Sequence, residues 1–206
     1  MSGLRPLPLS FYRRPAEVVA REVLGRYLVR ELDGERLVVR LVETEAYLGA
    51  PDRASHAWNG RRTARNAALY LPGGHAYVYF VYGMHFCLNA VTGGSATGSA
   101  VLLRAAAPVR GAERMRALRG LAGGRPGRTR MLAGGPARLC QALAIDRSFD
   151  GARLDRGPLR LVEGEPVAPR EIVAGPRVGV GYAGEAAGWP LRFALAGHPD
   201  VSLPRI

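Results

Sequence analysis

Lysine is absent from this sequence of 206 residues, so all 29 of its basic side chains are arginines. This absence excludes Schiff-base catalysis by a lysine side chain, the GK[ST] phosphate-binding loop and the lysine of protein kinases. Only the terminal amine is left for imine chemistry. The chain length and the 48% of hydrophobic residues nevertheless predict one domain over residues 1–206, with residues 1–7 as a flexible tail.

Paired cysteines and histidine clusters are also lacking. Cys87 and Cys140 stand in apolar surroundings without a CxxC pair, which argues against a disulfide framework and a zinc cluster. Four histidines are scattered without HxxxH or HxH spacing: His56, His75, His85 and His198. We therefore expect a reduced compartment, no metal and no cofactor.

Long hydrophobic runs are missing as well, both at the N-terminus, where a signal peptide would lie, and along the rest of the chain. The sequence therefore predicts a soluble intracellular protein without a membrane partner. The expected location is the cytoplasm, associated with the nucleoid in a prokaryote, or the nucleus in a eukaryote. No dimer seam is evident, so a monomer is expected.

The net charge of +12 is concentrated in one segment. Residues 53–145 hold 13 arginines and one acid, Glu113, whereas the two flanks together hold 16 arginines and 16 acids. Arginine forms bidentate contacts with phosphate, so this pattern favours a polyanion such as nucleic acid. An arginine-rich, GC-biased genome would account for the missing lysines, but not for one segment so poor in acids.

The first elements follow from local patterns. Apolar residues at helical spacing predict a helix from Pro15 to about Arg26. Two Val- and Leu-rich runs, 26–32 and 36–47, flank Asp33-Gly34 and predict a β-hairpin. Residues 49–75 are polar, small and rich in turn formers, and predict an irregular segment.

A second hairpin is predicted over residues 76–91, with Tyr82-Gly83-Met84 at its tip. The later elements are a strand at 100–105, a helix near 111–121, a loop at 123–130, a helix at 136–145, a loop-rich stretch to about Val173, and strands at 177–182 and 190–196. Together they predict a single α+β domain, with a curved, mainly antiparallel sheet, flanking helices and a protruding β-hairpin.

Carboxylates are the best candidates for chemistry. Glu43 and Glu45 alternate along a predicted strand and so face the same side. One could contact solvent or an arginine while the other enters a pocket as a general base. Without further context, a lone glutamate at the end of a strand is more often exposed.

Aromatic residues surround this pair. Tyr47 lies two residues beyond Glu45, and Tyr77 and Tyr79 share one face of the second hairpin. Core packing explains such a stripe more often than a ligand pocket does, although phenol and imidazole rings also stack on flipped bases. An exposed, uncharged tip at Tyr82 and Met84 beside arginine-rich segments favours a wedge that enters the minor groove.

Several motifs in order resemble the alkyladenine (3-methyladenine) DNA glycosylase family of the mammalian type. They are VETEAYLG (42–49) with His56, RRTARN (61–66), AYVYFVYGMHFCLN (76–89), VLLRA (101–105), GPARLCQALAI (135–145) and RVGVG (177–181). The resemblance extends from about residue 7 to residue 203. The chain departs from it at His85, where an aromatic is expected, and in the slightly longer segment 93–99.

This resemblance implies the following roles. Glu45 is the general base for water, which Arg104 and the backbone carbonyl of Val178 help to hold. Pocket walls that stack on the flipped base are Tyr47, His56 and Tyr79; the His56 amide also contacts the purine edge, and Asn89 clashes with the amine of normal guanine. Tyr82 intercalates, with Met84 beside it, and the DNA backbone is contacted by Arg61, Arg62, Thr63 and Arg65.

The resemblance further implies base excision on double-stranded DNA that contains damaged purines of the 3-methyladenine, 7-methylguanine, hypoxanthine and ethenoadenine class. Without lysine, the enzyme is expected to be monofunctional and to leave an intact abasic site. Two alternatives stay open at this point: a non-catalytic binder of DNA damage, and an RNA-binding or RNA-modifying protein.

Overall fold

A computed structural model describes residues 4–121 and 130–206, in which one antiparallel sheet of eight strands is the central feature. The strand order is β3-β4-β5-β2-β1-β6, with β8 also paired to β2, and β7 paired to β8. The strands are β1 (Tyr27–Leu32), β2 (Glu35–Tyr47), β3 (Ala76–Val81), β4 (His85–Thr92), β5 (Ser99–Arg110), β6 (Leu159–Val162), β7 (Ile172–Gly175) and β8 (Arg192–Leu195).

Short helices flank this sheet. They are α1 (Leu9–Tyr12), α2 (Ala16–Glu22), α3 (Ala112–Leu118), α4 (Arg130–Ala133) and α5 (Pro136–Ala142), together with 3₁₀ segments at Trp58–Gly60, Ala64–Tyr70, Arg147–Phe149, Pro169–Glu171 and Gly181–Gly188. Helices α2 and α5 pack on the central strands and bury the main apolar core against them. Within the described ranges, none of the helices has the length and apolar character that crossing a bilayer requires.

Strand β2 lies inside the sheet and is paired along both of its edges. One of its edges pairs with β5 from Val38 to Tyr47. Its other edge pairs first with β1, through residues 35–40, and then with β8, through residues 43–45. The segment that carries both candidate glutamates is therefore hydrogen-bonded on both sides.

Local signals predicted the first part of the fold correctly. The α+β class, both hairpins and the N-terminal helix are confirmed, although that helix is shorter than predicted and ends at Glu22. Asp33 and Gly34 both have positive φ, as a tight hairpin turn requires. Strand β5 is longer than the strand predicted at 100–105, and the helix after it begins at Ala112.

The predictions for the C-terminal third of the chain need correction. The strand predicted at 177–182 is wrong, because the N–H of Val178 donates to a carboxylate instead of a neighbouring strand, and a 3₁₀ helix begins at Gly181. The stretch predicted to be loop-rich contains β6 and β7, strands of only four residues each. Strand β6 pairs with β1, which is remote in sequence, and β7 pairs with β8, which is equally short, so no local pattern marks them.

Two other predictions concern the less regular parts of the chain. Leu7 is buried and its N–H donates to Leu161, and Pro6 pairs with Val162, so the predicted flexible tail does not extend to these two residues. The loop predicted at 123–130 lies outside the described residues except for Arg130, which begins α4.

Candidate functional site

Glu45 is fully buried near the end of β2, where three donors surround its carboxylate. The N–H of Val178 donates to Oε1 at 2.8 Å, and the hydroxyl of Tyr47 donates to Oε2 at 2.9 Å. Arg104 Nη1 lies 3.3 Å from Oε1. The exposure that is usual for a strand-end glutamate is therefore not found here. The structure brings Val178 to Glu45 through its N–H, and the role of its carbonyl stays a prediction.

Glu43 is equally buried but lies behind this site, where it binds two guanidinium groups. Arg104 Nε and Arg192 Nε donate to its Oε1 at 2.8 and 2.6 Å. Ser202 donates through its N–H to Oε2 at 2.7 Å and through its hydroxyl to Oε1 at 3.0 Å. Arg104 thus links the two glutamates, one held by arginines and the other presented into a cavity.

This cavity, which we call the central cavity, has a volume of about 430 Å³. The structure brings to its wall eight of the residues predicted from the sequence: Glu45, Tyr47, His56, Tyr79, Tyr82, Asn89, Arg104 and Val178. Two features place them there: strands β2 to β5 form its floor, and the irregular segment after β2 brings in His56.

The flat part of the wall is aromatic. The rings of His56 and Tyr79 lie 4.6 Å apart with their planes at 70°, and Tyr77 lies 5.3 Å from Tyr79. The Tyr77 hydroxyl lies 2.8 Å from His56 Nδ1, and Asn89 donates from Nδ2 to the Tyr77 carbonyl at 3.0 Å. These contacts fix the orientations of three wall residues before any ligand binds.

The wall is also kept uncharged. Burial, followed by the negative charge of Glu45, raises the pKa of Tyr47 well above its ordinary value, so this phenol keeps the proton that it donates. Burial also raises the pKa of Tyr79. Burial together with the charges of Arg65 and Arg61 lowers the pKa of His56, so its imidazole is neutral at pH 7. A neutral aromatic wall beside one carboxylate suits a planar, electron-poor ligand.

The β3–β4 hairpin carries an exposed apolar tip at the mouth of this cavity. Tyr82 is 82% exposed and Met84 is 66% exposed, as the sequence predicts for a tip of this composition. Tyr82 has φ +54° and Gly83 has φ +68°, which places two consecutive residues in the left-handed region that tight hairpins use. Tyr82 lines the cavity and Met84 does not.

The four residues predicted to contact the DNA backbone lie on the segment between β2 and β3. Arg61, Thr63 and Arg65 line a second cavity, whereas Arg62 lies on the ring of Tyr70, with its guanidinium carbon 4.0 Å from the centroid. Sequence reasoning missed the residue that organises them. The buried side chain of Asn66 donates to the carbonyls of His56 and Arg61, both at 2.9 Å, and so closes this segment on itself.

A second missed feature is a buried ion pair under the cavity wall. Arg177 Nη2 donates to Asp52 Oδ1 at 2.8 Å, and neither side chain is exposed to solvent. The Arg177 guanidinium carbon also lies 4.7 Å from the ring centroid of Tyr47 and so supports that wall. The partners are 125 residues apart, and no local pattern indicates that they meet.

Cys87 and Cys140 are buried and unbridged. In residues 4–121 and 130–206 no group of three or more His, Cys, Asp or Glu side chains is arranged to hold a metal ion.

Comparison with known proteins gives consistent matches over nearly the whole chain. Residues 10–199 match the family described as methylpurine-DNA glycosylase. Two relatives named DNA-3-methyladenine glycosylase, from Mus musculus and Homo sapiens, are 46% and 47% identical, each over 207 residues. These alignments cover 94% and 97% of this chain, but 60% of the mouse and 69% of the human protein. A relative from Methanocella arvoryzae is 46% identical over 95% of each chain.

Proposed function

The chain belongs to the methylpurine-DNA glycosylase family, and we propose that it is a monofunctional DNA-3-methyladenine glycosylase that acts in DNA repair. The observation that carries this proposal is the surroundings of Glu45. A carboxylate offers about four lone-pair sites, and three donors contact that of Glu45. About one site is left, and Glu45 lines a cavity of a size that admits a flipped purine nucleotide.

The chemical step uses that free site. Glu45 accepts a proton from a water molecule, and the water oxygen attacks C1′ of the flipped nucleotide. The bond between C1′ and the purine nitrogen breaks, and its electron pair leaves with the base. An alkylated purine carries a positive charge before the step and leaves neutral, so little further assistance is needed. Arg104 holds Glu45 in place through its ion pair with the same carboxylate oxygen that Val178 contacts.

The aromatic wall of the central cavity selects the base. A purine between Tyr47, His56 and Tyr79 stacks on rings that burial keeps neutral, and a cationic lesion gains most from such stacking. Asn89 is buried and its amide is fixed on the Tyr77 carbonyl, so its side chain cannot easily turn away from an exocyclic amine of guanine. We propose on this basis that normal guanine is excluded.

Base release tests the proposal directly. Duplexes that carry hypoxanthine, ethenoadenine or 3-methyladenine are incubated in parallel with the protein, and free base and strand breaks are measured. We expect base release with intact abasic strands and no borohydride-trapped adduct, because no side-chain amine is present. A trapped adduct would contradict the monofunctional mechanism. Stronger binding to matched RNA than to lesion-bearing DNA, without base release, would favour an RNA-binding protein instead.

The hairpin tip supports a second prediction. Replacing Tyr82 by Ser removes the aromatic side chain that would fill the gap left by the flipped base. We expect about 5- to 150-fold weaker binding of a lesion duplex, since stacking of an aromatic residue on bases is worth about 1–3 kcal/mol. The single-turnover rate at saturating protein should change much less. Equal nucleotide flipping by both proteins, followed by the fluorescence of a 2-aminopurine beside the lesion, would refute the wedge role.

A further inference from the structure

A single buried arginine connects the two uncharged donors to Glu45. Arg177 is bonded to Val178, whose N–H donates to Glu45 Oε1 at 2.8 Å. Its Nη1 also donates to the carbonyl of Ala46 at 2.9 Å, and its guanidinium carbon lies 4.7 Å from the ring centroid of Tyr47, the second donor. Arg177 does not line the central cavity, so it reaches the reaction only through these donors.

Asp52 fixes this arginine in turn. Its carboxylate is fully buried and accepts from both terminal nitrogens of Arg177, with Nη2 2.8 Å from Oδ1. The same two oxygens accept the N–H groups of Leu48 at 3.1 Å and of Ala54 at 3.0 Å, on either side of the turn that leaves β2. The ion pair therefore joins three segments that contribute to the cavity wall: the end of β2, the turn after it and the segment at Val178.

Stability alone does not account for an ion pair in this position. Neither side chain is exposed to solvent, and removing two charges from water costs free energy that their attraction often only offsets. Apolar side chains of similar volume can fill such a space without loss of stability, but they cannot supply direction. A planar guanidinium donates along fixed directions while its face packs on a ring, and Arg177 makes both kinds of contact.

We propose that Arg177 and Asp52 are positioning residues for the reaction at Glu45. They hold the two uncharged donors against the carboxylate and so direct its remaining lone-pair site toward water. The third contact, Arg104, is held separately by Glu43, so the pair controls two of the three contacts. This inference rests on the proposed function, because it assigns both residues to the base that activates water there.

Removing both charges together tests this role without leaving an unpaired charge in the interior. In Asp52→Asn/Arg177→Met the amide oxygen keeps an acceptor for one N–H of the turn. We expect single-turnover release of hypoxanthine at saturating protein to fall about 10²-fold, the effect of a misplacement of about 1 Å, with little change in affinity for the lesion duplex. Arg177→Lys keeps the charge beside Asp52 but loses the planar fork, and should lose less activity.

The pH profile of the rate distinguishes positioning from loss of structure. Hydrogen bonds to a carboxylate favour its ionised form, which the reaction requires. Misplaced donors should therefore move the acidic limb of the profile to higher pH by about one unit. A smaller folded fraction lowers the whole profile without moving that limb.

The other titratable groups of the central cavity stay in place in both variants. Burial raises the pKa of its buried tyrosines and of Cys87, so they remain uncharged on the acid side. Burial lowers the pKa of His56, and the charges that act on it are those of Arg65 and Arg61, which the variants keep. The remaining titratable side chains of the wall are His85, Arg104, Tyr82 and Tyr182.

Arg153→Met/Asp155→Asn is the matched control. Arg153 Nε donates to Asp155 Oδ1 at 2.8 Å, and neither residue lines the central cavity, so this protein should keep the wild-type rate and limb. If the first double variant does not fold, the limb of Arg177→Lys carries the test. Base release by wild type with an unmoved limb in the Arg177 variants would overturn the positioning role, whereas no release by wild type would contradict the glycosylase activity itself.

Discussion

Glu45→Gln should reduce the release of hypoxanthine from duplex DNA by about 10²- to 10⁴-fold, the contribution that a positioned general base makes. Glutamine keeps the size of the side chain and its oxygen can still accept from Tyr47 or Val178, but it cannot take a proton from water. Hypoxanthine is the right substrate because its spontaneous release is slow. Single-turnover base release at saturating protein measures the chemical step alone.

Binding separates a catalytic defect from a folding defect in this variant. Glu45→Gln should bind a hypoxanthine duplex at least as tightly as wild type, because one negative charge is removed from the cavity that takes up a nucleotide of this polyanion. Glu17→Gln, on the first turn of α2, is the matched control and should release base at the wild-type rate. A Glu45→Gln protein with the wild-type rate would remove Glu45 from the mechanism.

Glu43→Gln should destabilise the fold by about 3–5 kcal/mol, the usual cost of breaking a buried ion pair by removing one partner. Arg104 and Arg192 both donate to Glu43 Oε1, and neither has an exposed side chain. A neutral amide leaves two buried guanidinium groups without this carboxylate, and Arg104 keeps its ion pair with Glu45 at 3.3 Å. Urea unfolding at pH 7 measures the loss.

Glu31 offers a matched control for this substitution. It also binds two arginines, Arg36 and Arg160, at 2.7 and 2.8 Å, but its side chain is 33% exposed. Glu31→Gln should cost about 1 kcal/mol or less, because solvent screens an exposed pair. Equal losses for the two variants would show that burial does not set the strength of the Glu43 network.

Local sequence patterns predict the fold only where residues close together in the chain determine the structure. The Asp33-Gly34 turn and the alternating runs around it predict β1 and β2, since both strands and their turn lie within 21 residues. Strand β6 pairs with β1, which is distant in sequence, and β7 pairs with β8, which is equally short. The RVGVG segment has the composition of a strand, but the N–H of Val178 donates to the Glu45 carboxylate instead of to a neighbouring strand.

The residues of the candidate site also fall into two groups, those that the sequence predicts and those that only tertiary folding brings together. The resemblance places Glu45, Tyr47, His56 and Arg104, and the structure collects all four around one cavity. No sequence pattern marked the residues that hold the site in place. Ser202, for example, reaches Glu43 from 159 residues away, through a contact that only tertiary folding creates.

The pairing of β2 along both of its edges also determines which parts of the site can move. The backbone of Glu45 is paired with β5 on one side and with β8 on the other, so moving this residue requires separation of the central strands of the sheet. His56 and Trp58 belong to a segment of turns and single 3₁₀ turns that can detach while the sheet stays intact. The sheet therefore holds Glu45 in a fixed position, whereas the part of the wall that must admit a nucleotide lies on a segment that local fluctuation can move.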